Sequence, residues 1–308
     1  MPQTVVLHIG YPKTGTSSLQ WFLHARREDL RRQGVYYPLA GQDSEHAHHR
    51  LALALSANPY ETVNPDARAA LFADLATEID RCGCDRVLLS SELFMGRLEL
   101  IQASAEFARL FEDRDVRVVC VLRSQETFLE SLYRQFILDA QVRFADTFDA
   151  FLEAYPMAGE YHAILTAWSA FVGRENIVPL VYEQAVHGEG LLRGFCRLLG
   201  VDTDHLTAAD LDVWHHVTHD TALGIEIVRF ANRCPDLTLD QRLEVGRVAK
   251  AFAEQTRHLP LPKGMLSREQ LDRIRATLLD SNHRLAADFV HQPLDGFWFS
   301  RDGARATA

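Results

Sequence analysis

Two features that would tie a protein to a membrane or to secretion are missing from this sequence. It has no run of about 18 apolar residues, so we expect no membrane span. Its N-terminus, MPQTVVLHIG, enters a strand-like run directly and lacks the basic start, apolar stretch and cleavage site of a signal peptide. We therefore expect a cytoplasmic protein.

Cysteine and positive charge are also scarce. The five cysteines are scattered, and the two in CGC at 82–84 stand too close together to form half of a usual zinc site. The prediction is buried or incidental thiols. Because the formal net charge is -10, the chain is not expected to bind a nucleic-acid backbone, although a local basic cluster could still hold a small anion.

Strand-like and helical segments alternate along the first two thirds of the chain. Short apolar runs that suit buried strands lie at 4–9, 86–92, 117–123 and 176–183. Helical patterns fill the intervals, among them 16–32, 46–57 and 100–111. This alternation predicts an α/β fold with a central parallel sheet flanked by helices, and ligands at the carboxyl ends of the strands. After about residue 205 the pattern is helical only, so we expect a single domain, 1–308, with a helical C-terminal extension or cap.

The first strand runs into the loop GYPKTGTSS, residues 10–18. A Walker A loop places its lysine after the second glycine, whereas Lys13 precedes Gly15 here, and no dinucleotide-type G-x-G is present. The parts still suit an anion, because Gly15 lets backbone N–H groups come close and a helix N-terminus follows. The candidate anion-binding residues are Lys13, Thr14, Gly15, Thr16, Ser17 and Ser18. The alternative is an ordinary strand–turn–helix junction capped by threonine or serine.

A second candidate anion site follows the run VRVVCVL. Arg123 stands at the end of this strand, and Ser131 lies eight residues later, about two turns into the next predicted helix. An arginine offers a forked cationic contact to a phosphate, and a serine hydroxyl offers one hydrogen bond. Arg134 shares the helix face of Ser131 and is a possible auxiliary cation. Alternatively, Arg123 is a surface cation and Ser131 an ordinary helix residue.

These two motifs resemble those of the sulfotransferases that use 3′-phosphoadenosine 5′-phosphosulfate (PAPS). YPKTGTSSLQ is similar to the family's 5′-phosphosulfate loop, which follows the first strand and reads Pro-Lys-Ser/Thr-Gly-Ser/Thr-Ser/Thr. RSQETFLES is similar to its 3′-phosphate segment, and VPLVYEQ with LLRGFCRLLGV resembles a later strand–helix pattern. The resemblance covers roughly 4–200. It implies a three-layer P-loop-like fold of the bacterial type, with Lys13 and its loop on the 5′ phosphosulfate and Arg123 and Ser131 on the 3′ phosphate.

The sequence departs from the family pattern in two places. Many cytosolic relatives close on the nucleotide with a C-terminal R-K-G-x-x-G-D-W loop, of which only RDGA at 301–304 has a trace here. Bacterial relatives often have an Asn-x-Ser stretch before a late helix, where this chain has HHVTHDT at 215–221. How the nucleotide is capped therefore stays open at this point.

A base for the acceptor hydroxyl is expected at the end of a neighbouring strand. RVLLSSE delivers Glu92 there, so Glu92 is the first candidate, with helix capping or an ion pair as the alternative. The second candidate comes from EHAHHR at 45–50, in which His46 and His49 could share a helix face and His48 or His49 could reach the acceptor. We take His49 as the representative of this cluster.

The prediction is a sulfotransferase that moves a sulfuryl group from PAPS to a hydroxyl of a carbohydrate, lipid or small metabolite. Lys13 would stabilise the leaving phosphate oxygen, and the motif requires no metal. His215 and His219 are spaced as a metal pair but lack an evident third ligand. The rival functions are a nucleotide-dependent kinase on a P-loop scaffold and a non-catalytic relative that binds nucleotide or glycan. Neither the acceptor nor the oligomeric state can be read from the sequence.

Overall fold

A computed structural model describes residues 2–55, 64–211, 221–256, 258–259 and 264–292. The chain divides into two compact units. The first comprises the described residues of Met1–Arg123, Tyr161–His215 and Ser281–Ala308, and the second those of Ser124–Glu160 and His216–Asp280. The description of 1–308 as one domain stays a prediction.

The first unit contains a parallel sheet. Its strands are β1 (Thr4–His8), β2 (Val35–Tyr36), β3 (Arg86–Ser90), β4 (Asp115–Leu122) and β5 (Ile177–Val181). Within the described residues the order is β2-β3-β1-β4-β5, and every pairing is parallel. The predicted α/β fold with a central parallel sheet is confirmed. β2 escaped prediction because two residues are too few to form a recognisable apolar run.

The other regular elements of the described chain are helices, with bounds that refine the predicted ones. They are α1 (Thr16–Ala25), α2 (Arg27–Arg32), α3 (His49–Leu53), α4 (Pro65–Cys82), α5 (Leu98–Ala103), α6 (Ala105–Phe111), α7 (Gln125–Leu138), α8 (Phe148–Ala154), α9 (Tyr161–Val172), α10 (Tyr182–His187), α11 (Leu191–Leu198), α12 (Ala208–Leu211), α13 (Ala222–Asn232), α14 (Leu239–Thr256) and α15 (Arg268–Leu285). Short 3₁₀ helices run over Glu92–Arg97 and Arg174–Asn176, and a π-helical turn over Ala286–Val290. None of the described helices is long and apolar enough to cross a membrane.

Three predicted helices are interrupted or shortened. The pattern at 16–32 is broken at Arg26, whose backbone leaves helical geometry at φ -102° and ψ 14°. The pattern at 100–111 is broken at Ser104, whose hydroxyl accepts the Phe107 N–H and begins a new helix. The pattern at 46–57 yields a helix only from His49, because His46 adopts φ 63°. Local capping and backbone geometry override the apolar period in each case.

The apolar core of the first unit lies between the sheet and the helices α1, α2 and α11. Val6, Leu88 and Val119 come from three adjacent strands and pack with Phe22 and Phe195, all fully or nearly fully buried. Continuous burial on both faces is the reason that these strands read as uninterrupted apolar runs. Cys82, Cys84, Cys120 and Cys196 are buried free thiols and Cys234 is an exposed one, as expected from their scatter.

The second unit is organised around aromatic side chains of α7 and α8. Tyr133, Phe136 and Phe151 stack edge-on or tilted with ring centroids 5.6 to 5.7 Å apart. The amide of Asn232, at the end of α13, donates to the carbonyl oxygens of Ile137 and Phe144. A buried amide that satisfies two carbonyls at a helix end fixes the position of α13 against the end of α7.

Candidate active site

The loop between β1 and α1, residues 9–15, is called the Lys13 loop below. Lys13 has φ 67° and Gly15 has φ 78°, so two nearly adjacent residues take the left-handed conformation. Left-handed residues beside right-handed ones form concave nests of backbone N–H groups that bind anions. Thr14 is buried between them, and its hydroxyl donates to the Tyr11 carbonyl oxygen at 2.6 Å. The Thr14 side chain is thus used to brace the loop.

Gly15 is the N-cap of α1 and has no side chain with which to cap this helix end. A Cβ atom at Gly15 would lie 2.5 Å from Leu191 Cδ2, so both its conformation and its close packing require glycine. Thr16 and Ser18 are buried and Ser17 is half-buried in the first turn. The first-turn N–H groups and the positive end of the helix dipole are the features that favour an anion here.

Arg123 follows β4 directly and lies against the Lys13 loop. Its Nη1 donates to the Lys13 carbonyl oxygen at 2.5 Å, and its guanidinium lies 5.1 Å from the ring centroid of Tyr182. The Tyr161 hydroxyl donates to the Arg123 carbonyl oxygen at 2.9 Å. The two predicted anion motifs thus bring Lys13 and Arg123 together, because β1 and β4 are neighbouring strands and both side chains follow a strand end.

Ser131 lies half-buried in the second turn of α7, in the second unit. Its partnership with Arg123 on a common phosphate stays a prediction. Arg134, the possible auxiliary cation, forms an ion pair with Glu130 one turn earlier, with Nη2 and Oε1 2.7 Å apart. The Glu130 carboxylate thus offsets the positive charge of Arg134 within the same helix.

The two candidate bases, Glu92 and His49, are neighbours. Glu92 opens the 3₁₀ helix after β3, and its Oε2 lies 3.6 Å from Nε2 of His49, the first residue of α3. His49 Nδ1 lies 2.7 Å from Ser91 Oγ. The side chains of His49 and Glu92 are 27% and 14% exposed, so both can be reached from solvent. From the sequence, Glu92 and His49 were alternative candidates for one base, whereas in the structure their side chains lie next to each other.

The other histidines of EHAHHR do not join this pair, which corrects two expectations. His46 shares no helix face with His49, since α3 begins at His49, and its ring stacks on His24 with centroids 3.6 Å apart. Partial burial and, secondly, the neighbouring His24 lower the pKa of His46.

His48 is fully buried and cannot meet an acceptor. Its Nδ1 accepts the Ser90 N–H and its Nε2 donates to the Pro38 carbonyl oxygen, so both ring nitrogens are engaged. Burial lowers its pKa to about 4. The histidine pair His215 and His219 and the RDGA segment at 301–304 lie outside the described residues.

A buried polar network that the sequence did not reveal lies behind Glu92. Gln20 Nε2 donates to Glu92 Oε2 at 3.0 Å and to Ser90 Oγ at 3.2 Å. His8 Nδ1 lies 2.8 Å from the same Ser90 Oγ, and burial, opposed by the charge of Glu92, lowers the His8 pKa to about 4. His8 itself is fully buried. The one signal for Gln20 was its place one helical turn after Thr16.

In the described part of the chain, no group of three or more histidine, cysteine, aspartate or glutamate side chains is arranged to hold a metal ion. The predicted independence from metal is a statement about the reaction and stays a prediction.

Comparisons with known proteins address the fold and the family. A sulfotransferase from Alicyclobacillus acidocaldarius is similar over 96% of this chain and 98% of that chain, with TM-score 0.53 and 17% identity, which supports the fold. The sulfotransferase domain of the Synechococcus PCC 7002 olefin synthase matches over 82% of this chain and 94% of its own, with TM-score 0.39 and 17% identity. Mouse sulfotransferase SULT7A1, complexed with PAP, matches over 81% and 89%, with TM-score 0.36 and 14% identity.

A search among curated proteins gives no match. The family model described as "Sulfotransferase domain" matches residues 3–187, more than half of the 308 residues. The matched range contains the Lys13 loop, the Glu92–His49 pair and Arg123. This chain therefore belongs to the sulfotransferase family.

Proposed function

We propose that this protein transfers a sulfuryl group from PAPS to the hydroxyl group of an acceptor. The observation that carries the proposal is the placement of two cations and two candidate general bases at the carboxyl ends of neighbouring strands. β1 lies between β3 and β4, so the Lys13 loop has Glu92 and His49 on one side and Arg123 on the other. Neighbouring strands are about 4.8 Å apart, so PAPS bound at the Lys13 loop would lie close to an acceptor hydroxyl bound at Glu92.

The residues present fit a nucleotide that carries anionic groups at both its 5′ and 3′ positions. The Lys13 loop and the N-terminus of α1, whose N-cap is a glycine, would hold the 5′ phosphosulfate. Arg123, oriented by the Lys13 carbonyl and by Tyr182, would bind the 3′ phosphate. When bound, PAPS supplies an activated sulfuryl group and leaves as 3′,5′-adenosine bisphosphate.

Three side chains divide the chemistry. Glu92 accepts the proton of the acceptor hydroxyl, so that the acceptor oxygen can bond to sulfur while the bond between sulfur and the phosphate oxygen breaks. The Lys13 ammonium stabilises the negative charge that develops on that leaving oxygen. His49, the more exposed member of the pair, passes the proton from Glu92 to solvent. The acceptor class proposed is a carbohydrate, lipid or small-metabolite alcohol.

The test is transfer of labelled sulfate from PAPS to a panel of sugar, lipid and small-metabolite alcohols, in EDTA. We expect product with at least one acceptor. Glu92→Gln should cut turnover about 100-fold or more because it removes the base, and His49→Gln about tenfold because it slows only proton release. A larger loss for His49→Gln than for Glu92→Gln would reverse these two roles.

Two further results of the same assay would support the rival functions. Phosphoryl transfer from ATP that requires Mg²⁺ would indicate a kinase. Tight nucleotide binding without transfer to any acceptor in the panel would indicate a non-catalytic relative.

A further inference from the structure

The side-chain amide of Gln20 is buried beside the end of β3. Gln20 is only 2% exposed and lies in α1, four residues after Thr16, so both residues face the same side of that helix. An amide NH₂ group has two hydrogens, and both have acceptors here: Glu92 Oε2 and Ser90 Oγ. The Gln20 side chain therefore has little freedom to turn.

Within the described chain, the Glu92 carboxylate is held through one of its two oxygens. Oε2 accepts from Gln20 at 3.0 Å and faces His49 Nε2 at 3.6 Å. Oε1 receives no hydrogen bond from a described residue, which leaves it for the acceptor hydroxyl in the proposed reaction. A carboxylate fixed in this way does not rotate freely, so one of its lone pairs is already oriented for proton transfer.

The anchor on the other side of Gln20 is rigid. Ser90 is the last residue of β3, pairs with His8 in the β1–β3 register and is fully buried. His8, 0% exposed, lies 2.8 Å from Ser90 Oγ through its Nδ1. Its ring is neutral above pH 5 because burial lowers its pKa to about 4. Gln20 is thus tied to the end of β3 directly and to the end of β1 through Ser90.

We propose that Gln20 is a positioning residue that fixes the Glu92 carboxylate relative to the Lys13 loop, an inference that rests on the function proposed above. The first turn of α1 follows the Lys13 loop directly, and Gln20 lies in its second turn. The helix that would bind the sulfuryl donor therefore also positions the Glu92 carboxylate. Gln20 contacts neither the reacting oxygen nor the leaving group in this scheme; it acts through Glu92.

Gln20→Met keeps the length and helix propensity of the side chain and removes both donors. The matched control is Gln42→Met, a half-buried glutamine whose amide contacts His24 and Pro38 and not Glu92. In Gln20→Met the carboxylate loses a hydrogen bond to its charged form. We expect turnover to fall about tenfold and the acidic limb of the turnover–pH profile to move up by about one pH unit. Gln20→Glu, which places a like charge beside Glu92, should move the limb further, by about two pH units.

Two buried groups beside Glu92 do not account for this limb. Among the described residues, His8 and Tyr37 both feel the Glu92 charge; burial lowers the pKa of His8 to about 4 and raises that of Tyr37, so neither titrates between pH 5 and 9. Affinity for 3′,5′-adenosine bisphosphate, measured by calorimetry, should be the same in wild type, Gln20→Met and Gln42→Met. That equality shows that the Lys13 loop is intact in the variant.

A readout without substrate separates this proposal from the function on which it rests. Freed from Gln20, Glu92 can close the 3.6 Å gap to His49, so the NMR titration midpoint of the His49 ring should rise by about half a pH unit in Gln20→Met and not in Gln42→Met. Unchanged His49 titration and an unchanged pH profile in Gln20→Met would overturn the positioning role. Absence of transfer by wild type would instead refute the proposed function, and the His49 titration would still decide the role of Gln20.

Discussion

Lys13 has two separable parts at the residue scale. Its backbone takes φ 67°, which costs a non-glycine residue of order 1 kcal/mol, and its carbonyl oxygen accepts the Arg123 guanidinium. The ammonium group is the part that the proposed mechanism uses on the leaving oxygen. A side-chain substitution can therefore remove the charge and leave the carbonyl that orients Arg123.

Lys13→Met tests this division. We expect turnover to fall about 100- to 1,000-fold, because charge stabilisation of the leaving oxygen is lost, while affinity for 3′,5′-adenosine bisphosphate falls only several-fold. Single-turnover kinetics and calorimetry measure the two quantities. Lys250→Met, an exposed lysine on α14, is the matched control and should behave as wild type. An unchanged rate in Lys13→Met would remove the ammonium group from the mechanism.

Some residues of the candidate site could be predicted from the sequence and others could not. Lys13, Arg123 and Glu92 each follow an apolar run, and polar residues at the carboxyl ends of parallel strands converge on one edge. Gln20 and His8 gave no such signal, because a buried polar residue within a helix or strand looks like an interruption of the apolar pattern. Their roles depend on contacts across 70 to 82 residues of sequence, which periodicity does not encode.

At the element scale, His48 joins the end of β3 to the start of α3. The Ser90 N–H and the Pro38 carbonyl oxygen occupy its two ring nitrogens, and the His48 N–H donates to the Ser90 carbonyl oxygen. This exchange sets the position of His49, the next residue, beside Glu92. A neutral ring is required, since Nδ1 must accept a hydrogen bond.

Stability should therefore depend on pH through the buried rings of His8 and His48. Both pKa values fall to about 4 in the folded chain, from 6.5 in the unfolded one. The unfolded chain then binds more protons between these values, so the stabilisation is complete above about pH 6.5 and is lost as the pH falls towards 4. By pH 5 the loss is about 2 kcal/mol for each ring.

Urea unfolding at pH 7.5 and pH 5 measures this effect. His48→Gln, which cannot titrate, should be less stable at pH 7.5 but lose roughly half as much stability as wild type on acidification. Equal free energies of unfolding for wild type at the two pH values would contradict the account of these two rings.

Elements were predictable where burial is continuous and uncertain where capping decides. β1, β3 and the last five residues of β4 are buried runs that have few alternatives, and α4 begins and ends where Asn64 and Gly83 cap it. The breaks at Arg26 and Ser104 depend on hydrogen bonds that the apolar period does not contain. The predicted range 46–57 was too long for α3 because the left-handed backbone of His46 is also not part of the apolar period.

At the scale of the whole molecule, an acidic chain brings two cations together at one place. The net charge is -10, yet Lys13 and Arg123 meet at one edge of the sheet beside a helix N-terminus. Overall charge governs long-range attraction, whereas a nest, a dipole and two cations act within a few ångströms. The sequence supports a small anionic ligand more strongly than any particular acceptor, because acceptor contacts come from loops and caps that vary independently of the sheet.

The central claim is that this edge of the sheet binds the product nucleotide of a PAPS-dependent transfer. Isothermal titration calorimetry of the wild-type chain with 3′,5′-adenosine bisphosphate tests it most directly, with adenosine 5′-monophosphate as the ligand that lacks the 3′ phosphate. The account predicts a dissociation constant of about 10 μM or lower for the bisphosphate, at least about tenfold weaker binding of the monophosphate, and loss of that difference in Arg123→Leu. No binding of the bisphosphate at high micromolar concentration would contradict it.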